Sequence, residues 1–367
     1  MSEYQYYQWQ TIDRLLTPEE QAQVKRLSSH IEVSPSSAWV KYHYGDFKHD
    51  PNQVLARFFD AFMYFANWGS QRLAFRFPKD LLDARALQPY LLKYGASLEA
   101  VNGYDVLEIS FLDEDGEYWE EIEGNLSVMA QLRQDILDGD YRLLYLAWLR
   151  TADATDIKEE SPEPPVPAGL NELTPALAEF CRFFGVDEHL IQAAEEASPA
   201  LRPPAGLPLA EAIGRLTPAE RDSFLLRLAQ GEVHVALALN RRLQQLAGAT
   251  AQTPAPSQRT WGQLRQRATA LREEAKQKAR EEAERKRVAD LEALALRAEQ
   301  AWRDAEALIE QKQMRAYDEA VALLRQLHEL AVYQGKVPEF VTRLAILRQR
   351  YVKRPSLMDR LQKAHLD

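Results

Sequence analysis

The chain carries, between residues 261 and 313, the sequence WGQLRQRATALREEAKQKAREEAERKRVADLEALALRAEQAWRDAEALIEQKQ. This stretch contains no proline, and Gly262 is its only glycine. Alanine, leucine and long charged or amide residues dominate it, and these residues lose little conformational freedom on entering a helix. The stretch therefore predicts one long helix of about 75 Å, at about 1.5 Å of rise per residue. A rod of this kind connects, spaces or binds other molecules.

The two halves of this predicted helix differ in their side chains. Between Glu273 and Arg287 the only apolar side chains are alanines, which is typical of a solvated helix held by neighbouring opposite charges. From Val288 onwards apolar residues recur at helical spacing, and further helical segments follow at 317–333 and 338–351. We therefore expect a charged solvated helix over 259–287 and a small helical bundle over 288–367.

The N-terminal part of the chain alternates strand and helix signals. The strand-like segments are 4–10, 30–33, 39–44 and 72–77, and the helical segments are 17–28 and 51–67. The first helix begins with a capping signal, since Thr17 is followed by Pro18 and Glu20. The order β-α-β-β-α-β predicts an α+β fold with a ferredoxin-like domain at the N-terminus.

A hairpin and two helices extend this domain. Strands at 98–101 and 104–111 flank Asn102 and Gly103, a pair that favours a tight type I′ turn. Helices are predicted at 125–137 and 141–151. We assign residues 1–151 to an α+β head.

Proline-containing segments divide the rest of the chain. Residues 152–169 contain four prolines and several acidic residues, and we interpret them as a linker that buries no apolar face. Residues 170–246 carry five helical segments, which predict a helical middle domain. Residues 247–258 are small, polar and proline-containing, and we interpret them as a second linker.

The length and composition of the chain narrow the kinds of protein to which it can belong. The chain has 367 residues, of which 46% are hydrophobic, and this length favours two or three folded domains. It contains no run of eighteen apolar residues and no secretory signal, so we expect a cytoplasmic protein of bacterial type without a membrane partner. The single cysteine, Cys181, lies among phenylalanines, which favours a buried packing residue over a nucleophile.

Two segments group potential metal ligands. His43, Asp46 and His49 offer the imidazole and carboxylate groups that divalent transition metals bind. They share one short loop without an identifiable distant ligand, so turn and capping roles are the favoured interpretation. In the acidic segment 113–123, carboxylate residues occupy alternate positions, as they do at the start of a twelve-residue calcium-binding loop. Its glycine, however, is not at the sixth position, where such a loop needs one. We expect no bound metal or cofactor, and no residue is assigned a catalytic role.

Aromatic residues mark the first strand. Tyr4 and Tyr6 share one face of this strand, and Tyr7 and Trp9 share the other. Burial in a core or a patch that faces a protein is the favoured interpretation, and base stacking on an open sheet is the alternative. Tyr6 and Trp9 are our candidate partner-binding residues in the head.

Charge is unevenly distributed along the chain. Residues 259–367 carry a net charge of +6, whereas the total is −10. A basic arm of this kind can bind a polyanion. It can equally well dock on the acidic remainder of the same chain. The candidate contact residues on this arm are Arg272, Lys276, Arg280 and Lys286.

Several motifs resemble known families. The segments YQYYQWQTIDR at 4–14, YGDFK at 44–48, FDAF at 59–62 and ANWG at 66–69 resemble a family of uncharacterised bacterial proteins, and this resemblance implies no activity. The ending, from YDEAV at 317–321 to KRPSLMDRL at 353–361, is similar to the tail of some bacterial SWIM zinc-finger proteins. The SWIM zinc site needs several cysteines and this chain has one, so the resemblance implies only an association with nucleic-acid machinery.

These patterns lead to three hypotheses about function. The leading one is a non-enzymatic scaffold or adaptor, whose head binds a protein partner and whose helical tail sets spacing or binds a second protein. The first alternative is a nucleic-acid-associated accessory protein that uses the basic helix 259–288. The second alternative is an enzyme with a site near His43, Asp46 and His49. A weak heptad pattern disfavours a long coiled coil, and the oligomeric state stays open.

Overall fold

A computed structural model describes residues 4–112, 125–155, 157–201, 208–232, 234–247 and 257–366. The chain forms two compact units, unit 1 (Met1–Arg272) and unit 2 (Glu273–Asp367). The six segments expected from the sequence divide the chain more finely than this, and as domains they stay predictions. The mixed α+β class is confirmed.

A seven-stranded sheet lies at the centre of unit 1. Its strands are β1 (Gln5–Gln10), β2 (Glu32–Val33), β3 (Ser37–Tyr42), β4 (Ala61–Ala66), β5 (Ser70–Pro78), β6 (Ala96–Val101) and β7 (Tyr104–Leu112). Their order across the sheet is β2-β3-β1-β4-β5-β7-β6, and every neighbouring pair is antiparallel. The predicted hairpin is confirmed as β6 and β7, with positive φ at Asn102 and Gly103.

The four-stranded ferredoxin-like arrangement is not the one observed, because the strand order of this sheet is different. The segment 72–77, predicted as the fourth and last strand, forms the middle of β5. The strand that pairs with β1 at this place is β4, whose residues were assigned to the helix 51–67. That helix ends at Phe58, and all six residues of β4 are buried. A continuous apolar run suits a buried strand and a buried helix equally well, so its pattern did not separate the two.

Helices cover both faces of the sheet. The helices of unit 1 are α1 (Pro18–Lys25), α2 (Pro51–Phe58), α3 (Ala84–Leu87), α4 (Leu126–Met129), α5 (Gln131–Leu137), α6 (Arg142–Ala154), α7 (Pro175–Phe184), α8 (Glu188–Glu195), α9 (Leu209–Gly214), α10 (Pro218–Ala229), α11 (Val235–Ala247) and the first part of α12 (Trp261–Ala295). One core joins α1 and α2 to one face, and a larger core joins α4 to α8 to the other. The sheet is therefore the middle of three layers.

The proline segment 152–169 is not the solvated linker that the sequence suggested. Val166 lies in the larger core together with the neighbouring Leu170 and with Trp261 from α12. The Glu163 side chain is fully buried and accepts hydrogen bonds from Ser257 and Arg259. The prediction failed because the residues that bury this segment lie about a hundred positions further along the chain.

Helices α9 to α11 form a small cluster within unit 1. Their apolar centre consists of Ala212, Leu216 and Leu243. Polar contacts join them to the sheet layers, including a hydrogen bond of 2.8 Å from Gln244 Nε2 to Asp138 Oδ1. This cluster therefore has less apolar burial than the rest of unit 1.

Unit 2 contains the end of α12 followed by four helices. These are α13 (Ala298–Glu310), α14 (Met314–Tyr333), α15 (Val337–Arg350) and α16 (Pro355–Lys363). They share one apolar core that includes Leu294, Trp302, Leu324 and Leu344. The continuous helix predicted over 261–313 is thus interrupted after Ala295, where the chain turns into α13 and buries Trp302. The expected helical bundle is present.

Charged residues shape the surface of unit 2. Residues 273–287 are exposed throughout, as expected for a solvated helix, and pairs such as Glu273 with Lys276 join successive turns. Three ion pairs between residues 44 positions apart link other helices: Glu299 with Arg343, Glu306 with Arg350, and Glu310 with Arg354.

Candidate functional site

The two faces of β1 differ in how deeply their side chains are buried. Tyr7 and Trp9 point into the core that α1 and α2 cover, and the side chain of Gln5 lies on the same face. Tyr6 and Gln8, on the other face, are only half-buried. The division of the aromatic residues between two faces is therefore confirmed, and the face of Tyr6 is the accessible one.

The accessible face forms the floor of a groove. Strand pairing places Lys41 of β3 and Phe65 of β4 on either side of Tyr6, and it places Trp39 beside Gln8. Tyr4 continues the floor, and the groove has a volume of about 580 Å³. This volume lies within the range of about 300–1,000 Å³ that is usual for ligand sites.

The rings on this floor are arranged side by side. Tyr6 and Trp39 are nearly parallel, with 6.2 Å between ring centroids and 24° between planes. Phe65 supports Tyr6 from the other side at 5.4 Å. The Lys41 ammonium lies 5.7 Å from the Tyr6 centroid and 5.6 Å from that of Tyr4, a geometry that favours a cation over an aromatic face.

Helices α4 and α7 form the wall of the groove. Asn125 caps α4 through a hydrogen bond from Val128 N to its Oδ1, and its own backbone N donates to Glu179 Oε1 at 2.8 Å. Glu179 also pairs with Arg182 at 2.7 Å. Hydrogen bonding from Arg182 lowers the pKa of Glu179, so this carboxylate is ionised at neutral pH. The wall therefore carries one compensated pair of charges.

Polar groups of the floor have unused hydrogen-bonding capacity. The Trp39 indole N–H and the Gln8 side-chain amide form no hydrogen bond with any residue that the structure describes. The Tyr4 hydroxyl is buried without a partner in the same part of the chain. A ligand on this floor can accept hydrogen bonds from the indole and the amide.

Trp9, a candidate partner-binding residue from the sequence, is buried in the core and is not presented at the surface. Its side chain is 0% exposed, and its Nε1 donates to the Pro51 carbonyl at 3.2 Å. The residue that presents an accessible indole in this region is Trp39, on the neighbouring strand. The sequence pattern identified an aromatic face but not which face the helices would cover.

The candidate metal ligands are dispersed. The His43 ring lies 5.6 Å from the Tyr4 ring and is tilted by 60° to it. Asp46 instead accepts a hydrogen bond from Gln5, whose side chain lies on the opposite face of β1. His49 lies against Phe47. Within the described ranges, no three potential ligands gather around one point. The acidic segment with Asp113, Asp115 and Glu117 lies outside the described residues.

The candidate basic residues of α12 differ in their surroundings. Arg272 pairs with Asp187 at 2.6 Å, and Lys276 pairs with Glu273 at 2.9 Å. Arg280 and Lys286 are exposed and form no ion pair with a described residue. Glutamates alternate with these basic residues along α12 and partly neutralise their positive charge. The nucleic-acid alternative requires an excess of positive charge on this same helix.

Cys181 is a packing residue, as expected. It is half-buried against the core of unit 1, and burial raises the pKa of its thiol to about 12. A thiol with this pKa is almost wholly protonated at neutral pH, and the thiolate is the reactive form.

A partly buried polar cluster has no signal in the sequence. Asp13, in the loop after β1, forms two hydrogen bonds with Arg133 of α5 at 2.8 and 3.0 Å. His234, which precedes α11, lies 2.9 Å from the same carboxylate. Burial acts to raise the pKa of Asp13, but the close contact with His234 and the charge and hydrogen bonds of Arg133 outweigh it and lower the pKa to about 2. The three residues are too far apart in sequence for a local motif.

None of the helices in the described ranges combines the length and the apolar character that crossing a bilayer requires. Comparison of the chain with protein-family models, with curated proteins and with solved structures finds no match. The two family resemblances noted from sequence motifs therefore stay predictions.

Proposed function

We propose that this protein is a cytoplasmic, non-enzymatic adaptor, and that the groove of unit 1 binds a segment of a partner protein. The observation that carries the proposal is the pair of half-buried, nearly parallel rings of Tyr6 and Trp39 on an accessible sheet face. Aromatic side chains supply a large contact area at low entropic cost, and they are enriched at the centres of protein interfaces.

The rigidity of the floor supports this role. The three strands that carry it are paired on both sides of β1, so the rings stand on backbone that is already ordered. A preorganised site avoids part of the entropy that binding otherwise costs. The exposed charged stretch 273–287 of α12 supports the second part of the proposal, in which this helix acts as a spacer, because no apolar core holds its side chains.

The nucleic-acid alternative has less support. Arg272 and Lys276 already have carboxylate partners, and a phosphate would have to displace them. Residues 1–258, which form most of unit 1, carry a net charge of −16. Such a body repels a polyanion at low salt, where nucleic-acid binding is otherwise strongest.

The test is quantitative capture from a lysate of the source organism, with chemical cross-linking before washing. The full chain is compared with Tyr6→Ala, with Trp39→Ala and with the control Tyr94→Asn. Tyr94 is 72% exposed with Lys93 over its ring, so the control removes a comparable aromatic group elsewhere. Asparagine tolerates the positive φ of this position.

We expect at least one protein to be captured by the full chain and the control but lost with both groove variants. A capture profile that is the same for all four proteins contradicts the proposal. Recovery of nucleic acid alone, equally with all four, supports the basic-helix alternative instead.

A further inference from the structure

Helices α9 to α11 are attached to the rest of unit 1 by polar contacts. Among the described residues, neither apolar core of the sheet layers includes a residue of these helices, and the three helices pack mainly against one another. Gln244 of α11 donates to Asp138 at the end of α5, and Arg241 donates to the Asp80 carbonyl. Because apolar burial is the main force that holds packed elements together, this attachment is weak.

His234, the residue before α11, covers part of the Asp13 cluster. Its Nδ1 atom lies 2.9 Å from Asp13 Oδ2, and its ring lies 6.1 Å from the Tyr104 ring, with 83° between the planes. Asp13 is also bound by Arg133, whose side chain is almost wholly buried. While α9 to α11 are docked, His234 therefore shields the Asp13 carboxylate and one side of Tyr104.

The docked position of His234 carries two free-energy costs. Its φ is 66°, in the left-handed region that residues with a Cβ atom disfavour. Its Nδ1 atom is buried but forms no well-directed hydrogen bond with Asp13 or with any other described residue, and a buried polar atom without a hydrogen bond is unfavourable. Both costs are relieved when the helices move away, so the docked and undocked states are close in free energy.

We propose that α9 to α11 form a lid that opens as a unit while the sheet layers stay folded. The contacts of His234, Arg241 and Gln244 all lie on α11 or directly before it, so they break together and give two discrete states. Opening uncovers Asp13, in the loop after β1, and Tyr104, at the start of β7. This lid is independent of the groove and of the proposed adaptor function.

The experiment measures the rate at which diethyl pyrocarbonate modifies the His234 imidazole in the full chain at neutral pH, by mass spectrometry. His30, which is exposed, is the reference within the same molecule. The variants are Gln244→Ala, Asp138→Ala and the two together, and the control is Arg221→Ala, at an exposed position of α10. Hydrogen exchange of the β4 amides is followed in every variant, because it reports unfolding of the sheet.

We expect His234 in the unaltered chain to react much more slowly than His30. Gln244→Ala and Asp138→Ala should each speed the modification of His234 by about fivefold, because each removes the same hydrogen bond. The double variant should react no faster than either single variant. Arg221→Ala should leave the rate unchanged, and the β4 amides should exchange equally slowly in all of these proteins.

Three other results overturn the lid. If His234 reacts as fast as His30 in the unaltered chain, the docked state is not the populated one. An unchanged rate in Gln244→Ala and in Asp138→Ala shows that their contact does not hold the helices in place. A rate that rises only together with the exchange of β4 shows that His234 is uncovered by unfolding of the sheet. None of these results bears on the groove, so the adaptor function is tested separately.

Discussion

The fully buried carboxylate of Glu163 receives two hydrogen bonds from Arg259, both of 2.8 Å. The same carboxylate accepts hydrogen bonds from the hydroxyls of Tyr145 and Ser257. Beside this cluster, the backbone N–H of Trp261 donates to the Ser161 carbonyl. The proline segment thus fixes the start of α12 to unit 1, and the charged residues of α12 follow directly from this anchor.

Replacing Glu163 should destabilise unit 1. Glu163→Ala leaves Arg259 half-buried without its carboxylate, and loss of one partner from a buried pair typically costs about 3–5 kcal/mol. The measurement is the free energy of unfolding from urea titration, followed by tryptophan fluorescence. Glu160→Ala, at an exposed position of the same segment, is the control and should change it by less than about 0.5 kcal/mol. Equal effects of the two substitutions would contradict the role of the anchor.

A glycine in unit 1 is required by close packing rather than by its backbone angles. A Cβ atom at Gly95 would lie 2.0 Å from Thr151 Oγ1, on α6. Gly95→Ala should therefore lower the free energy of unfolding by about 1–3 kcal/mol, as overpacking does. Gly214→Ala is the matched control, because a Cβ there meets no atom within 4 Å and helical alanine is favoured over glycine. A neutral Gly95→Ala would show that α6 lies further from the sheet than described.

The Asp13 cluster should make the free energy of unfolding of unit 1 depend on pH in the acidic range. Because its pKa falls from 3.8 to about 2 on folding, the ionised carboxylate stabilises the folded state above pH 4, and this stabilisation is lost as the pH falls towards 2. Because Asp13 is partly exposed, solvent screening reduces the lost contribution to about 1 kcal/mol. The destabilisation caused by Asp13→Asn should therefore be smaller at pH 2 than at pH 6 by this amount, as measured by urea unfolding. Asp222→Asn, on the surface of α10, should have the same effect at both values. A loss from Asp13→Asn that does not vary with pH would contradict the cluster.

Two tryptophans on neighbouring strands should separate stability from binding. Trp9→Ala empties a fully buried site and should cost about 3–5 kcal/mol of unfolding free energy. Trp39→Ala removes a half-buried ring from the groove and should cost about 1 kcal/mol or less, while it abolishes partner capture. Urea unfolding of both variants checks this difference. A larger loss of stability from Trp39→Ala than from Trp9→Ala would place Trp39 in the core.

Helix caps and tight turns were the features of the fold that the sequence predicted well. Thr17 and Glu20 form the expected capping box, with hydrogen bonds of 3.2 and 2.9 Å. Asn102 and Gly103 adopt the expected positive φ angles of a tight hairpin turn. In both cases the residues that determine the geometry lie within four positions of one another, so a single sequence contains all the information.

Features that depend on distant residues were predicted less well. The apolar segment that forms β4 was assigned to a helix, because only its pairing with β1 and β5 reveals a strand. The proline segment was interpreted as a linker because Trp261, which packs over it, is distant in sequence. The alternation of residues along β1 predicted that its aromatic side chains lie on two faces. It could not predict which face would be covered. Helices α1 and α2 cover the face of Trp9, and Tyr6 on the other face is therefore accessible.

The central claim is that a partner protein lies against the floor of the groove, and site-specific photo-cross-linking tests it most directly. p-Benzoylphenylalanine is introduced in place of Tyr6, of Tyr94 and of Arg280, one at a time, and irradiated in the lysate. The account predicts a discrete protein adduct from position 6 and none from position 94. An adduct that forms only from position 280, on the charged part of α12, would contradict it.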